Sequence, residues 1–185
     1  MTLKPNEKVR SLTIQQMDVP PPATSGKAGA SDEGTSAPKP AEPLLPEDDA
    51  LLVAVRDIMA DGYAGAIFSG PPGTGKTWMA RKVALALTEG DLDQIAFVQF
   101  HPSYQYEDFI QGYAADKAGF SLENRVFALL CKTALEDPTS QFVIVIDEFS
   151  RTDVARVFGE ALTYIETSKR GLPFRLQSGE EMTIP

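Results

Sequence analysis

Eight residues, "GPPGTGKT" from Gly70 to Thr77, have the types and spacing needed to grip a chain of phosphates. They fit G-x-x-x-x-G-K-[ST], with Gly70, Gly75, Lys76 and Thr77 in the fixed places. Glycines let the backbone curl so that successive N–H groups face inward, with no Cβ in the way. A helix starting near Lys76 adds the positive end of its dipole. Lys76 brings a full charge to the β and γ phosphates, and the Thr77 hydroxyl is suited to Mg²⁺. The expected nucleotide contacts are Gly70, Pro71, Pro72, Gly73, Thr74, Gly75, Lys76, Thr77 and Trp78. Chance produces the pattern in well under about one chain in a hundred of this length.

A second constellation ends the apolar run "FVIVI" at Asp147 and Glu148. Five consecutive apolar residues suit a strand in the middle of a parallel sheet, covered on both faces. Open α/β sheets bind ligands at the carboxyl ends of such strands. Asp147 is the expected second Mg²⁺ holder, beside Thr77. Glu148 is the expected base that orients and deprotonates an attacking water, with Lys76 as the charged partner in catalysis.

The elements that must position these groups follow from periodicity. "EDDALLVAVRDIMADG" predicts a helix with Leu51, Leu52, Val55, Ile58 and Met59 on one face, stopped by Gly62. "YAGAIFSG" predicts a buried strand leading into the glycine loop. A helix follows through Met79, Val83 and Leu87, and "IAFVQF" is the next strand. "YEDFIQGYAAD" reads as a short helix or turn, and "SLENRVFALLCKTALED" as a longer helix capped by Ser121. After the acidic strand, "DVARVFGEALTYIETSKRG" predicts one helix with Val154, Val157, Phe158, Ala161, Leu162 and Ile165 on one side. "FRLQSGEEMTI" predicts a hairpin around Ser178 and Gly179. Strands alternating with helices predict an α/β, three-layer sandwich with a mostly parallel sheet.

Residues 1–46 differ from the body at 47–185. Eight of the fourteen prolines lie there, among Ala, Ser, Gly and Thr. Ordering such a stretch costs roughly 1–2 kcal/mol per residue with little apolar surface to offset it, so a disordered tail and linker is expected. Within it, "KVRSLTIQQMDV" alternates weakly and is open to a short strand or docking peptide. The net charge is −9 and the tail is neutral, so the body carries all of it. That argues against a broad basic face for nucleic acid. The single cysteine, Cys131, excludes an internal disulfide and a cysteine metal cluster, and is expected as a buried thiol. Without a long apolar run or an apolar leader, the expectation is a cytoplasmic protein with no membrane segment.

"GPPGTGKT" with "VIVIDE" resembles the AAA+ ATPase superfamily. "FVQFHPSYQYEDFIQGY", "RVFGEALTYIE" and "LQSGEEMTIP" are similar to the motor domain of McrB-type subunits of methylcytosine-specific restriction systems, in the dynein-related branch. The resemblance runs from about Tyr63 to Pro185. It implies ATP hydrolysis (GTP in the alternative), a homo-oligomeric, hexameric ring with nucleotide at its interfaces, and a nuclease or other effector as partner. It also implies that the segment from His101 to Tyr106 faces a central pore; packed aromatics that fix the next helix are the other reading. Where McrB-type motors read "DEINR" this chain reads "DEFSR", which puts a sensing role at Ser150 in doubt. Arg151 is open to an interface role or a solvated helix start. A MoxR-like chaperone is a further alternative. The superfamily inserts a strand between the glycine-loop strand and the acidic strand, and no stretch matches it. The AAA+ core is therefore expected to be incomplete at its C-terminus, either part of a motor or a nucleotide-binding module that docks on a ring without turnover.

Overall fold

The computed structural model describes residues 11–13, 43–116 and 119–185. Helix α1, Ala50–Ala60, begins where the Asp49 carboxylate accepts from the N–H groups of Leu51 and Leu52, at 2.9 and 3.2 Å. Such a cap satisfies donors that the first turn leaves unpaired. Strand β2, Ile67–Ser69, leads into the glycine loop, and helix α2, Lys76–Leu87, leaves it. Leu52 and Val55 of α1 pack with Val83 and Ala86 of α2, and Phe68 of β2 closes that cluster. The helix face expected from the sequence is therefore the face buried, except that Met59 remains 39% exposed.

Strand β3, Ile95–Gln99, pairs in parallel with the acidic strand, Val143–Asp147, from Ile95 opposite Val143 to Gln99 opposite Asp147. Alternate residues of the acidic strand serve different cores. Val143 and Val145 meet Ala84 and Leu85 of α2, whereas Ile144 and Ile146 meet a larger aromatic cluster on the other face. That cluster contains Phe100, Phe109, Phe127, Val157 and Phe158. Helix, sheet and helix thus form the layers that the continuous apolar run required. Cys131 lies in the same core, and burial pushes its thiol up to about 12.

Two expected helices are corrected. Helix α3, Tyr106–Phe109, is followed by an antiparallel ribbon, β4 at Gln111–Asp116 and β5 at Gly119–Asn124. Ser121 therefore lies in a strand rather than capping a helix, and α4 is Val126–Glu136. The ladder runs from Gln111 opposite Asn124 to Asp116 opposite Gly119, and the Arg125 N–H closes it on the Ile110 carbonyl at 2.8 Å. A full ladder of backbone bonds outweighs one serine cap, typically worth about 1 kcal/mol. The acidic strand, Val143–Asp147, is β6. The helix expected over 153–171 is broken into α5, Val154–Phe158, and α6, Ala161–Tyr164, with a 3₁₀ turn at Thr167–Lys169. The break is at Gly159, whose φ is +52° and whose added Cβ would lie 2.9 Å from the Tyr106 ring. The expected hairpin is present as β7, Pro173–Arg175, and β8, Glu181–Thr183.

Strands β2 and β6 share no ladder among the described residues. β6 pairs with β3, and β2 pairs with β1, Ser11–Thr13. Polar contacts join the two sides elsewhere: the Thr167 hydroxyl donates to the Gly62 carbonyl at 2.7 Å, and Arg170 Nη2 to the Ala64 carbonyl at 3.3 Å. Within 1–46, only residues 11–13 and 43–46 are described; the rest of the expected disordered tail lies outside the described residues. No helix among the described residues is long and apolar enough to cross a membrane.

The ribbon sits against α3 at Gly112, where an added Cβ would lie 2.4 Å from the Glu107 carbonyl oxygen. Gly112→Ala is therefore expected to destabilise the fold by about 1–3 kcal/mol, as overpacking against backbone does. Gly65→Ala, with open space around its Cβ, should stay within about 0.5 kcal/mol in the same chemical denaturation series.

Candidate functional site

The glycine loop turns on left-handed backbone that glycine adopts without a steric penalty: φ is +79° at Gly73 and +77° at Gly75. The Thr74 hydroxyl donates to the Pro71 carbonyl at 2.9 Å, which ties the turn across itself. Lys76 Nζ folds back over the loop and donates to the carbonyls of Gly70, at 2.9 Å, and Pro71, at 2.8 Å. The ammonium is thus held inside the arc, where the loop carbonyls stand in for acceptor oxygens. Pro71, Pro72 and Gly73 are exposed at its rim.

Thr77, in the first turn of α2, donates its hydroxyl to Asp147 Oδ1 at 3.1 Å. That bond brings together residues 70 apart in sequence and puts the carboxyl end of β6 beside the loop. The ladder carries one step past β3, since the Phe100 N–H donates to the Asp147 carbonyl at 2.9 Å. Asp147 Oδ1 also accepts from the Glu148 N–H at 2.9 Å. Glu148 itself has φ +54°, a left-handed conformation rare outside glycine, and there the chain leaves the sheet for a 3₁₀ turn at Phe149–Arg151. Of the expected site residues, Thr77 of α2 and Asp147 of β6 are therefore in contact, with Lys76 just before the one and Glu148 just after the other.

Arg151 Nε donates to Glu148 Oε2 at 2.9 Å, a partner the sequence reading did not assign. Its signal was the three-residue spacing, legible only once the turn after β6 is known. Both side chains are well exposed, so the pair is worth no more than about 1 kcal/mol. Ser150 is exposed. Trp78 is 46% exposed, with the Lys82 ammonium 5.6 Å from its ring centroid. Lys82 Nζ also donates to the Pro43 carbonyl at 3.1 Å, which fastens the segment before α1 to α2.

The segment after β3 divides. Tyr104 lies 5.0 Å from Phe100, ring centre to ring centre, and Tyr106 is buried with its hydroxyl donating to Glu160 Oε1 at 2.8 Å. Burial, reinforced by Glu160, raises the Tyr106 phenol well above its ordinary value. These tyrosines anchor the aromatic core; His101 stays exposed, edge-on to Tyr104.

A glycine loop with its lysine folded onto it, and a threonine–aspartate pair at the end of a parallel strand, are arranged as in a P-loop. The family described as "AAA domain (dynein-related subfamily)" matches residues 65–181. The chain belongs to that family. Over 106 residues, 57% of its length, this AAA chain is 44% identical to the Type IV methyl-directed restriction enzyme EcoKMcrB subunit of Escherichia coli (strain K12). The match covers 23% of that subunit. The AAA fold and the likeness to a McrB subunit expected from the motifs are thus both present, with a nucleotide-binding role of the AAA kind.

Trp78 is the chain's sole tryptophan and adjoins Thr77. Binding of ATP with Mg²⁺ at the loop should change its emission saturably, and Lys76→Ala should shift that response to about 10–100-fold higher nucleotide concentration. A fluorescence titration of both proteins checks this.

Proposed function

We propose that this chain binds a nucleoside triphosphate with Mg²⁺ and forms part of an AAA+ ring motor, McrB-like, that hydrolyses ATP. The observation that carries the reading is the Thr77–Asp147 hydrogen bond, which unites the phosphate loop with the carboxyl end of β6. The donor set suits the ligand. Lys76 Nζ already lies against loop carbonyls and would exchange them for phosphate oxygens. The Thr77 hydroxyl and the Asp147 carboxylate are the hard oxygen donors that would hold Mg²⁺. The bound cation would neutralise charge on the phosphates as the transferred group separates.

The remaining chemistry belongs to Glu148. Its carboxylate accepts the proton of a water while that oxygen bonds to the terminal phosphorus and the bond to the bridging oxygen breaks. The Arg151 pair is too exposed to hold Glu148 from that task. Copies of the chain would form the ring, with a nuclease or other effector as partner and the cytoplasm as compartment. GTP in place of ATP is the nearest variant, and competition between the two nucleotides separates them.

A second reading, nucleotide binding without turnover, draws on the sheet. β2 and β6 share no ladder among the described residues, and unpaired backbone edges are costly. Under the first reading a strand from outside the described residues lies between them. Under the second, the chain docks on a ring that completes it.

Lys76→Ala should weaken nucleotide binding by about 10–100-fold, the worth of a hydrogen-bonded charge, measured by calorimetry. Glu148→Gln should keep that affinity and lose about 10²–10⁴ of phosphate release in whatever assembly turns over. Normal hydrolysis by Glu148→Gln would remove Glu148 as the base.

A further inference from the structure

Strand β2 is three residues long and runs from Ser69 straight into Gly70, the first residue of the phosphate loop. Its ladder among the described residues is with β1, in parallel: Ser11 opposite Ile67, Leu12 opposite Phe68 and Thr13 opposite Ser69. The tail strand therefore ends opposite the last residue before the loop.

We propose that residues 11–13 are a positioning strand for the phosphate loop, and that their docking on β2 raises the loop's affinity for polyphosphate. The nucleotide arm of this proposal rests on the function proposed above. Among the described residues β1 is the strand that pairs with β2, and so short a strand gains little net from each backbone hydrogen bond. Losing the β1 ladder removes these cross-strand hydrogen bonds at the root of the loop. The topology favours docking in cis. Parallel neighbours need a long crossover, commonly with a helix, and the connection from residue 14 to residue 66 contains α1. Leu52 and Val55 of that helix pack with Phe68, so the crossover is anchored on the strand it returns to. Gly70 then passes any displacement to Lys76, whose Nζ is bonded to the Gly70 carbonyl at 2.9 Å.

The test uses the full chain with Leu12→Pro and Thr13→Pro together. Proline supplies no N–H to a ladder, and neither position belongs to the binding machinery. Amide exchange across residues 67–70 should quicken at least tenfold. Affinity for inorganic tripolyphosphate, read by calorimetry, should fall about 5–30-fold, and a synthetic peptide of residues 5–19 added in trans should restore it. Should the double variant not fold, Ser11→Pro is read in the same way. Unchanged exchange overturns the strand's role, and faster exchange with unchanged affinity overturns its coupling to the loop. If the unaltered chain binds no tripolyphosphate, the nucleotide reading fails instead, and exchange at 67–70 alone decides whether β1 holds β2.

Discussion

Helix α2 has to align the two halves of the site, because the strands that deliver those halves do not pair with each other. The glycine loop comes from β2 and the carboxylates from β6, and no backbone ladder relates them among the described residues. Ala84 and Leu85 of α2 instead pack on Val143 and Val145 of β6 and on Ile95 of β3. Burying side chains such as Leu85 and Ile95 contributes roughly 1.5–3 kcal/mol each, against about 0.5–1.5 kcal/mol for a hydrogen bond such as Thr77–Asp147. Packing therefore sets the separation of loop and carboxylate, and the hydrogen bond reports it. The opposite side of α2, with Val83 and Ala86, holds α1 and β2 in turn. One helix thus registers both cores.

The aromatic core has a different task. Phe100 and Phe109, almost wholly buried, lie beyond the end of β3 and gather α3, α4 and α5 around the lower face of β6. Tyr106 extends the cluster outward, and its ring fills the space where a side chain at position 159 would stand. That close approach is why the helical stretch bends at Gly159, and the bend brings Glu160 to the Tyr106 hydroxyl. Tyr113 and Phe120 instead remain 71% and 80% exposed on one face of the β4–β5 ribbon.

The candidate site's residues were legible in the sequence because its parts are local. The glycines, Lys76 and Thr77 lie within one loop, and an apolar run ending in Asp147 and Glu148 marks its own strand and its end. The α1 face and the β7–β8 hairpin were legible for the same reason, since periodicity and turn residues act over a few positions. The β4–β5 ribbon was not. Its Ser121-Leu122-Glu123-Asn124 segment suits a helix start as well as a strand, and only pairing with Gln111–Asp116 decides between them. The Arg151–Glu148 pair was hidden for a related reason, because it depends on the positive φ of Glu148.

The sequence by itself determined the glycine loop, the acidic strand end and the alternation of strands and helices. Each is written in neighbouring residues whose backbone needs and charges do not depend on distant partners. The tertiary structure decided which elements share hydrogen bonds, that Thr77 meets Asp147, that β1 takes its place beside β2, and that Gly159 breaks a helix. These are contacts between residues dozens of positions apart, and they depend on packing volume and strand register that no local pattern contains.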